Sequence, residues 1–350
     1  MVASNLTIDL AAIRSNWRGI DSYSPANCET AAVVKANAYG LGMEKTLRTL
    51  KCAGAKSFFV ALAEEGSEAR KFLPGNEEIF VLSGHMEGDS GLLSRNRLTP
   101  VLNSAAQAIR HLEQLPGHPF GVQLDTGMNR LGMGMNEFAD VRERVSIAKP
   151  VLAMSHLACA DEPEHPMNSR QLSEFKAATF DLGLRRSLAA TGGVLLGPEY
   201  HFDLCRPGIG LFGGLPYAAA EPVVHLELPV IQVRELRSGE SVGYGAAWTA
   251  DAPAKIATAS GGYADGILRA MGRRGRVFAK DIACKIVGRV SMDLLTIDVS
   301  DLEEVPSTLQ LLGDHQGVDE IAEAAGTIGY EILTGIGIRC NRIYRGEIGN

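Results

Sequence analysis

The chain has 350 residues, 45% of them hydrophobic and 21% charged, with a formal net charge of −7. That length accommodates one large α/β domain and a smaller one around a sizeable core. The acidic balance argues against a nucleic-acid surface, and no apolar run reaches the length of a membrane span. The opening MVASNLTIDLAAIRSNW has neither a basic n-region nor an apolar h-region, so no secretory signal is expected and the expected location is the cytoplasm. Six scattered cysteines (Cys28, Cys52, Cys159, Cys205, Cys284, Cys340) show no C-x-x-C pair and no zinc spacing. They read as reduced, mostly packed thiols, and no metal site is expected.

The first predicted element is a helix with Asp9 as N-cap and Leu10, Ile13, Trp17 and Ile20 on one face, expected to close the floor of the large domain. From residue 30 to 213, eight apolar runs alternate with helix-like segments: 30–37, 57–63, 78–84, 98–103, 120–127, 150–157, 187–191 and 201–213. Between them, SAAQAIRHLEQL and MNEFADVRERVSIA return apolar residues every three or four positions. Eight strands with seven crossovers predict an α/β architecture, a parallel (β/α)8 TIM barrel over residues 1–222. A doubly wound sheet would need a phosphate fingerprint after its first strand, and none is present. Beyond Pro222 the runs are short, alternating and broken by Gly, Ser and Asp. They predict a mostly β C-terminal domain over 223–350, with one helix at DEIAEAAG.

In such barrels chemistry gathers at the C-terminal ends of the strands. The apolar AAVV delivers Lys35 to the first strand end, with Tyr39 one helical turn on at the start of the next helix; a lysine is a poor residue to bury without a purpose. The fifth strand end brings Asp125 and then Arg130, the sixth His156, the seventh Thr191, and the eighth Arg206 followed by Gly208 and Ile209. Each has a plain reading. Lys35 is a snorkelling lysine at a rim, His156 a structural histidine, Arg206 the partner of a carboxylate such as Asp203, and Arg130 a surface arginine. Thr191-Gly-Gly is then only a turn, Tyr244 a strand tyrosine and Tyr330 an aromatic at a helix start. Their joint placement at strand ends is what favours a site.

The stretches VVKANAYG, LDTGMNRLGM, MSHLACADEP, FDLCRPGIGLFG, GYGAAWTA, GYADG, GRVSMDL and GTIGYEIL, spread over essentially the whole chain, resemble the alanine racemases, fold-type III pyridoxal-phosphate enzymes. The resemblance implies that Lys35 carries pyridoxal 5'-phosphate covalently, its amine made nucleophilic by desolvation. It implies a phosphate cup of the Tyr39, Thr191 and Tyr330 hydroxyls with the backbone N–H groups of Gly208 and Ile209. Arg206 would face the pyridine nitrogen, where a permanent cation donates no full proton and keeps the cofactor a weak electron sink. His156 would link Arg206 to a second catalytic residue, Tyr244, drawn from the partner chain of a homodimer with shared sites.

By the same resemblance, Lys35 serves the D-enantiomer and Tyr244 the L-enantiomer, the tyrosine's reference pKa of about 10 being lowered by the linked cations. Arg130 and the N–H of Met292 would hold the substrate carboxylate. Tyr263, Asp161, Arg269 and Arg289 would narrow the entrance to suit alanine, or at most serine. The implied activity is interconversion of L-alanine and D-alanine, by default for peptidoglycan.

Two positions depart from the family pattern. Gln123 stands where some relatives have a carbamylated lysine, and an amide forms no carbamate, so a chloride or water is expected beside Gln123 and Arg130. Leu41 replaces a common histidine and is expected on the rim, with little consequence. The competing readings are a broader serine and alanine racemase, a non-catalytic pyridoxal-phosphate barrel and a decarboxylase. The β domain with Tyr244 argues against the non-catalytic barrel, and Arg206 against the decarboxylase, which needs a strong electron sink.

Overall fold

A computed structural model describes residues 3–272 and 274–347, which form two compact units. One spans Arg14–Leu211 with Pro216–Ala219; the other takes the residues up to Ile13, Phe212–Leu215 and the chain from Ala220 onward.

The chain opens with β1 (Asn5–Asp9), whose NLTID alternates so that Leu6 and Ile8 are buried. The sequence reading holds no strand here. The 12-residue helix Leu10–Asp21 comes next, and Asp9 Oδ1 accepts the N–H groups of Ala11 and Ala12 as the expected N-cap.

The larger unit is built on parallel strands. Its first position is split into β2 (Glu29–Thr30) and β3 (Ala32–Val33). Then come β4 (Ser57–Val60), β5 (Glu78–Val81), β6 (Thr99–Leu102), β7 (Gly121–Gln123), β8 (Leu152–Met154), β9 (Arg185–Ser187) and β10 (Leu204–Cys205). Strands β3 to β9 form one seven-stranded sheet in sequence order, every pair parallel. β10 runs parallel to β2, and Asp203 N–H and Arg206 N–H donate to the carbonyls of Arg186 and Ala189 just along the β9 edge. These bonds bring the eighth position between the seventh and the first. Helices such as Met43–Ala53, Ala105–Gln114 and Met135–Ala148 alternate with the strands, which explains why SFFV and TPVL are buried on both faces. Phe59 and Phe80 stack with ring centroids 4.7 Å apart.

The other unit is mostly β. Its spine is the 13-residue β11 (Val224–Leu236), antiparallel to β1, which in turn lies parallel to the C-terminal strand Asn341–Arg345. Register shifts after Leu226 and after Val230 let β11 pair with Thr308–Leu312 on one stretch and Ala254–Ser260 on another. A hairpin pairs Ser241–Val242 with Trp248–Thr249, and its turn carries Tyr244. The helix Val318–Ala325 is present as expected, and the helix Gly329–Gly335 is present in addition. Among the described residues no helix is long and apolar enough to cross a membrane, and no group of His, Cys, Asp or Glu side chains has the arrangement of a metal site.

Candidate active site

Lys35 lies just past β3, half-buried, and its amine has no hydrogen-bond or ion-pair partner among the described residues. Burial lowers its pKa from the ordinary lysine value, the Arg130 guanidinium adds to the shift, and Glu65 opposes it. A lysine so placed loses its proton more readily than one in water.

The residues after it do not begin an ordinary helix. Ala36, Asn37, Ala38 and Tyr39 all have φ of 54° to 55°, a left-handed turn of four non-glycine residues. Right-handed geometry was expected between Lys35 and Tyr39. The turn is held by Ala38 N–H to the Val34 carbonyl (2.9 Å), Gly40 N–H to that of Ala36 (2.7 Å) and Met43 N–H to Asn37 Oδ1 (2.8 Å). Each non-glycine residue in that region costs about 1–2 kcal/mol, so this strain must be over-determined by its surroundings. Leu41 is fully buried rather than on the rim, because the turn carries the chain back into the barrel wall. The expected rim position is thereby corrected.

Tyr39 is buried, and its hydroxyl occupies the place where any side chain at Gly208 would begin. The backbone at 208 must therefore be glycine for the hydroxyl to reach it. Thr191 Oγ1 accepts the N–H of Gly208 at 3.1 Å and of Gly210 at 3.4 Å. Thr191 opens the helix Thr191–Leu196 instead of ending the seventh strand. Ile209 is fully buried beside these groups. Asp161 is exposed and packs its loop against Gly192, where an added Cβ would lie 2.9 Å from Oδ1. Burial and the neighbouring Glu162 raise its pKa.

Arg206 is almost fully buried. Its guanidinium donates to Ser187 Oγ, to the Ser155 carbonyl at 2.7 Å, and to His156 Nδ1 at 3.4 Å, and it lies 5.9 Å from the Phe59 ring centroid. Asp203 instead accepts from Arg186, at 2.8 Å from its backbone N–H and 3.4 Å from its side chain. Burial pushes Arg206 down to about 10, which leaves it a cation at neutral pH. His156 is pushed down to about 3, by burial first and then by Arg206, Arg130 and Lys35. A neutral imidazole that accepts at Nδ1 carries its proton on Nε2.

Arg130 is exposed, in the loop after β7, and its guanidinium has no hydrogen-bond partner among the described residues. Gln123, buried at the end of β7, donates its amide N–H to the Leu131 carbonyl at 2.9 Å.

The remaining expected residues belong to the β unit. Tyr244 is 72% exposed, held between Gly243 (φ 71°) and Gly245 (φ 69°), and the Arg289 guanidinium packs over Gly245. Tyr263 begins a short 3-10 turn and Arg269 another; both side chains are exposed. The Met292 carbonyl accepts Ala264 N–H at 3.0 Å, tying the GYADG and VSMD segments together. Tyr330 lies at the start of the helix Gly329–Gly335.

Sequence reasoning missed the groups that hold these residues. Ser187 and Ser155 receive Arg206. Gln171, fully buried, accepts Ala158 N–H at 2.8 Å and donates to the His156 carbonyl at 2.9 Å and to Thr126 Oγ1 at 3.1 Å. A serine in an apolar strand or a glutamine on a helix carries no signal of what it will face, so these roles exist only in three dimensions.

The donor set of the barrel unit fits pyridoxal phosphate. Lys35 offers an unpartnered amine of lowered pKa, Tyr39, Thr191 and the Gly208–Gly210 backbone form a cradle that a Cβ at 208 would fill, and Arg206 is a buried fixed cation. Comparison with known proteins points the same way. Residues 8–216 match the alanine racemase N-terminal domain and residues 223–344 the alanine racemase C-terminal domain. The alanine racemase of Dinoroseobacter shibae is 58% identical over 348 residues, 99% of this chain and 100% of that protein. That of Cereibacter sphaeroides is 56% identical, over 98% and 99%. Among solved structures, alanine racemase from Bartonella henselae with covalently bound pyridoxal phosphate superposes with a TM-score of 0.93 at 35% identity, covering 98% of this chain and 100% of that one. Biosynthetic alanine racemase from Pseudomonas aeruginosa gives 0.92 at 37%, covering 98% and 99%.

Proposed function

The chain belongs to the alanine racemase family, pyridoxal-phosphate-dependent isomerases, and on that basis we propose that it interconverts L-alanine and D-alanine by moving the Cα proton between two bases, Lys35 and Tyr244 of the partner subunit. The observation that carries this reading is the convergence, at the strand ends of one barrel, of an unpartnered lysine of lowered pKa with a buried guanidinium and a hydroxyl-and-amide cradle.

When bound, pyridoxal phosphate supplies the electron sink that makes the Cα–H of an amino acid acidic. Lys35 would hold the cofactor, and Tyr39, Thr191, Gly208, Ile209 and Tyr330 would hold its phosphate. Arg206 would face the ring nitrogen, with His156 keeping the guanidinium oriented through its Nδ1. Arg206 stays charged because burial lowers it only to about 10, so it acts as a fixed hydrogen-bond donor and transfers no proton at neutral pH. That restraint favours return of the proton to Cα over its delivery elsewhere.

Lys35 takes or returns the Cα proton on the face used by D-alanine, because burial and the Arg130 guanidinium make its amine give up a proton more readily than an ordinary lysine. The Tyr244 hydroxyl of the partner subunit serves the opposite face. Arg130 and the Met292 N–H orient the substrate carboxylate, while Tyr263, Asp161, Arg269 and Arg289 narrow the approach. The free guanidinium of Arg130 and the second amide N–H of Gln123 are donors suited to a small anion such as chloride. Activity is therefore expected to depend on chloride, and equal rates in chloride and gluconate buffers would count against that part.

The same proposal assigns cofactor binding to residues 1–222 and the second base to 223–350, working as a cytoplasmic homodimer that supplies D-alanine for peptidoglycan. The test is solvent deuterium exchange at Cα, followed by NMR, for the parent and for Tyr244→Phe with pyridoxal phosphate present. The parent should exchange both enantiomers, and the variant should lose exchange from L-alanine far more than from D-alanine. Equal losses on the two would remove Tyr244 from the L-face, and no exchange by the parent would remove the activity.

A further inference from the structure

Glu65 belongs to none of the sequence motifs that carry the family likeness. It is the third residue of the helix Ala63–Phe72, which comes after β4, and its Oε2 accepts the N–H groups of Leu62 at 3.3 Å and Ala61 at 2.7 Å. That much is an ordinary glutamate closing a helix N-terminus. Its other oxygen leaves the helix. Oε1 accepts the N–H of Ala36 at 2.7 Å, the peptide directly after Lys35 on the neighbouring strand position. A capping glutamate needs no such second contact. Ala36 is also the first of the four left-handed residues, so the bond secures the strained segment where it begins.

The charged and titratable groups that act on or with Lys35 inside the barrel unit are Arg130, Glu65 and His156. His156 is neutral at pH 7, which leaves Arg130 and Glu65 as opposed charges.

We propose that Glu65 is a positioning residue for Lys35: one carboxylate oxygen is fixed to the neighbouring strand end, the other pins the peptide after the lysine, and the pair presents a negative charge to the amine. The proposal rests on the reading of Lys35 as the cofactor-binding base. Removing the charge while keeping the shape should then make Lys35 lose its proton at lower pH.

The experiment strips the full-length protein of cofactor, reloads it with pyridoxal phosphate across a pH series, traps attachment with borohydride and locates it by peptide mass. Parent and Glu65→Gln are compared, the latter because glutamine still closes a helix N-terminus. In the parent, attachment at Lys35 rises with pH as the amine becomes neutral. In Glu65→Gln the rising limb is expected about 0.5–1 pH unit lower, less than a close buried pair would give because Glu65 is half-exposed. An unmoved limb, whatever the urea midpoint, is the behaviour of a purely capping glutamate and overturns the proposal, as does a limb moved to higher pH. Attachment of the parent at a different lysine is a separate outcome: it overturns the reading of Lys35 itself and the proposal with it.

Discussion

At the scale of single residues, Lys35 and Arg206 are two cations whose different chemistry is used differently. An ammonium on a flexible stem shifts readily when desolvated, whereas a delocalised guanidinium stays charged even when nearly fully buried. Arg206 can remain so only because the Ser155 carbonyl, Ser187 Oγ and His156 Nδ1 receive its donors. Replacing it by glutamine should leave acceptors without donors and destabilise the fold by roughly 2–4 kcal/mol, read from urea denaturation. The same variant should raise the pKa of His156 from about 3, since a neighbouring cation is gone, yet leave it below 6.5 because burial is the larger cause. NMR titration of the ring checks this; a fall would contradict the assigned field. That a lysine and an arginine stand at strand ends was legible from VVKANAYG and LCRPGIG, but the serines that make the arginine tolerable were not.

Among the elements, the left-handed turn over 36–39 is the segment whose local preference and native geometry disagree most. Ala36 is exposed, so its methyl contributes little packing while its φ of 54° is disfavoured. Ala36→Gly should raise stability by up to about 1 kcal/mol, and the β-branched Ala36→Val should lower it by about 1–2 kcal/mol. A lower urea midpoint for the glycine variant would mean that the turn is not strained at residue 36. The sequence predicts an ordinary helix start here because nothing in KANAY except Asn37 favours positive φ; it is tertiary bonds, Glu65 to Ala36 among them, that impose it. In the barrel wall, the helix Ala105–Gln114 buries His111, with Nδ1 3.2 Å from His85 Nδ1 and Nε2 3.2 Å from the His118 carbonyl. Burial pushes His111 down to about 4, whereas the unfolded chain titrates near 6.5. Between those values the unfolded state binds the proton that the folded state refuses, so stability is full above about pH 6.5 and declines as pH falls toward 4. Urea midpoints measured from pH 7 to pH 4.5 should fall, and His111→Gln should flatten that slope; an unchanged slope would mean that His111 is not the group responsible.

For the whole molecule, the proposed mechanism needs two chains, because each barrel supplies Lys35 and the second base comes from the partner subunit. Dilution below the dissociation point, with sedimentation and activity read together, should give a species that retains pyridoxal phosphate on Lys35 but racemises poorly; an active monomer would contradict the shared site. Local sequence was enough to establish the parallel α/β barrel and the β character of the remainder, since apolar runs alternating with 3.6-residue periodicity encode burial on both faces of each strand. It was enough, too, for the residue types at the strand ends, because a lysine or arginine closing an apolar run stands out against its surroundings. The place of β1 is a matter of tertiary packing alone. NLTID alternates plainly, but its partners β11 and Asn341–Arg345 lie more than 200 residues away along the chain, beyond any local signal. Packing likewise buries Leu41, sets Thr191 at the opening of a helix, and carries Glu65 across to Ala36. Such contacts depend on which elements become neighbours, and that is fixed by the fold of the whole chain rather than by any short stretch of it.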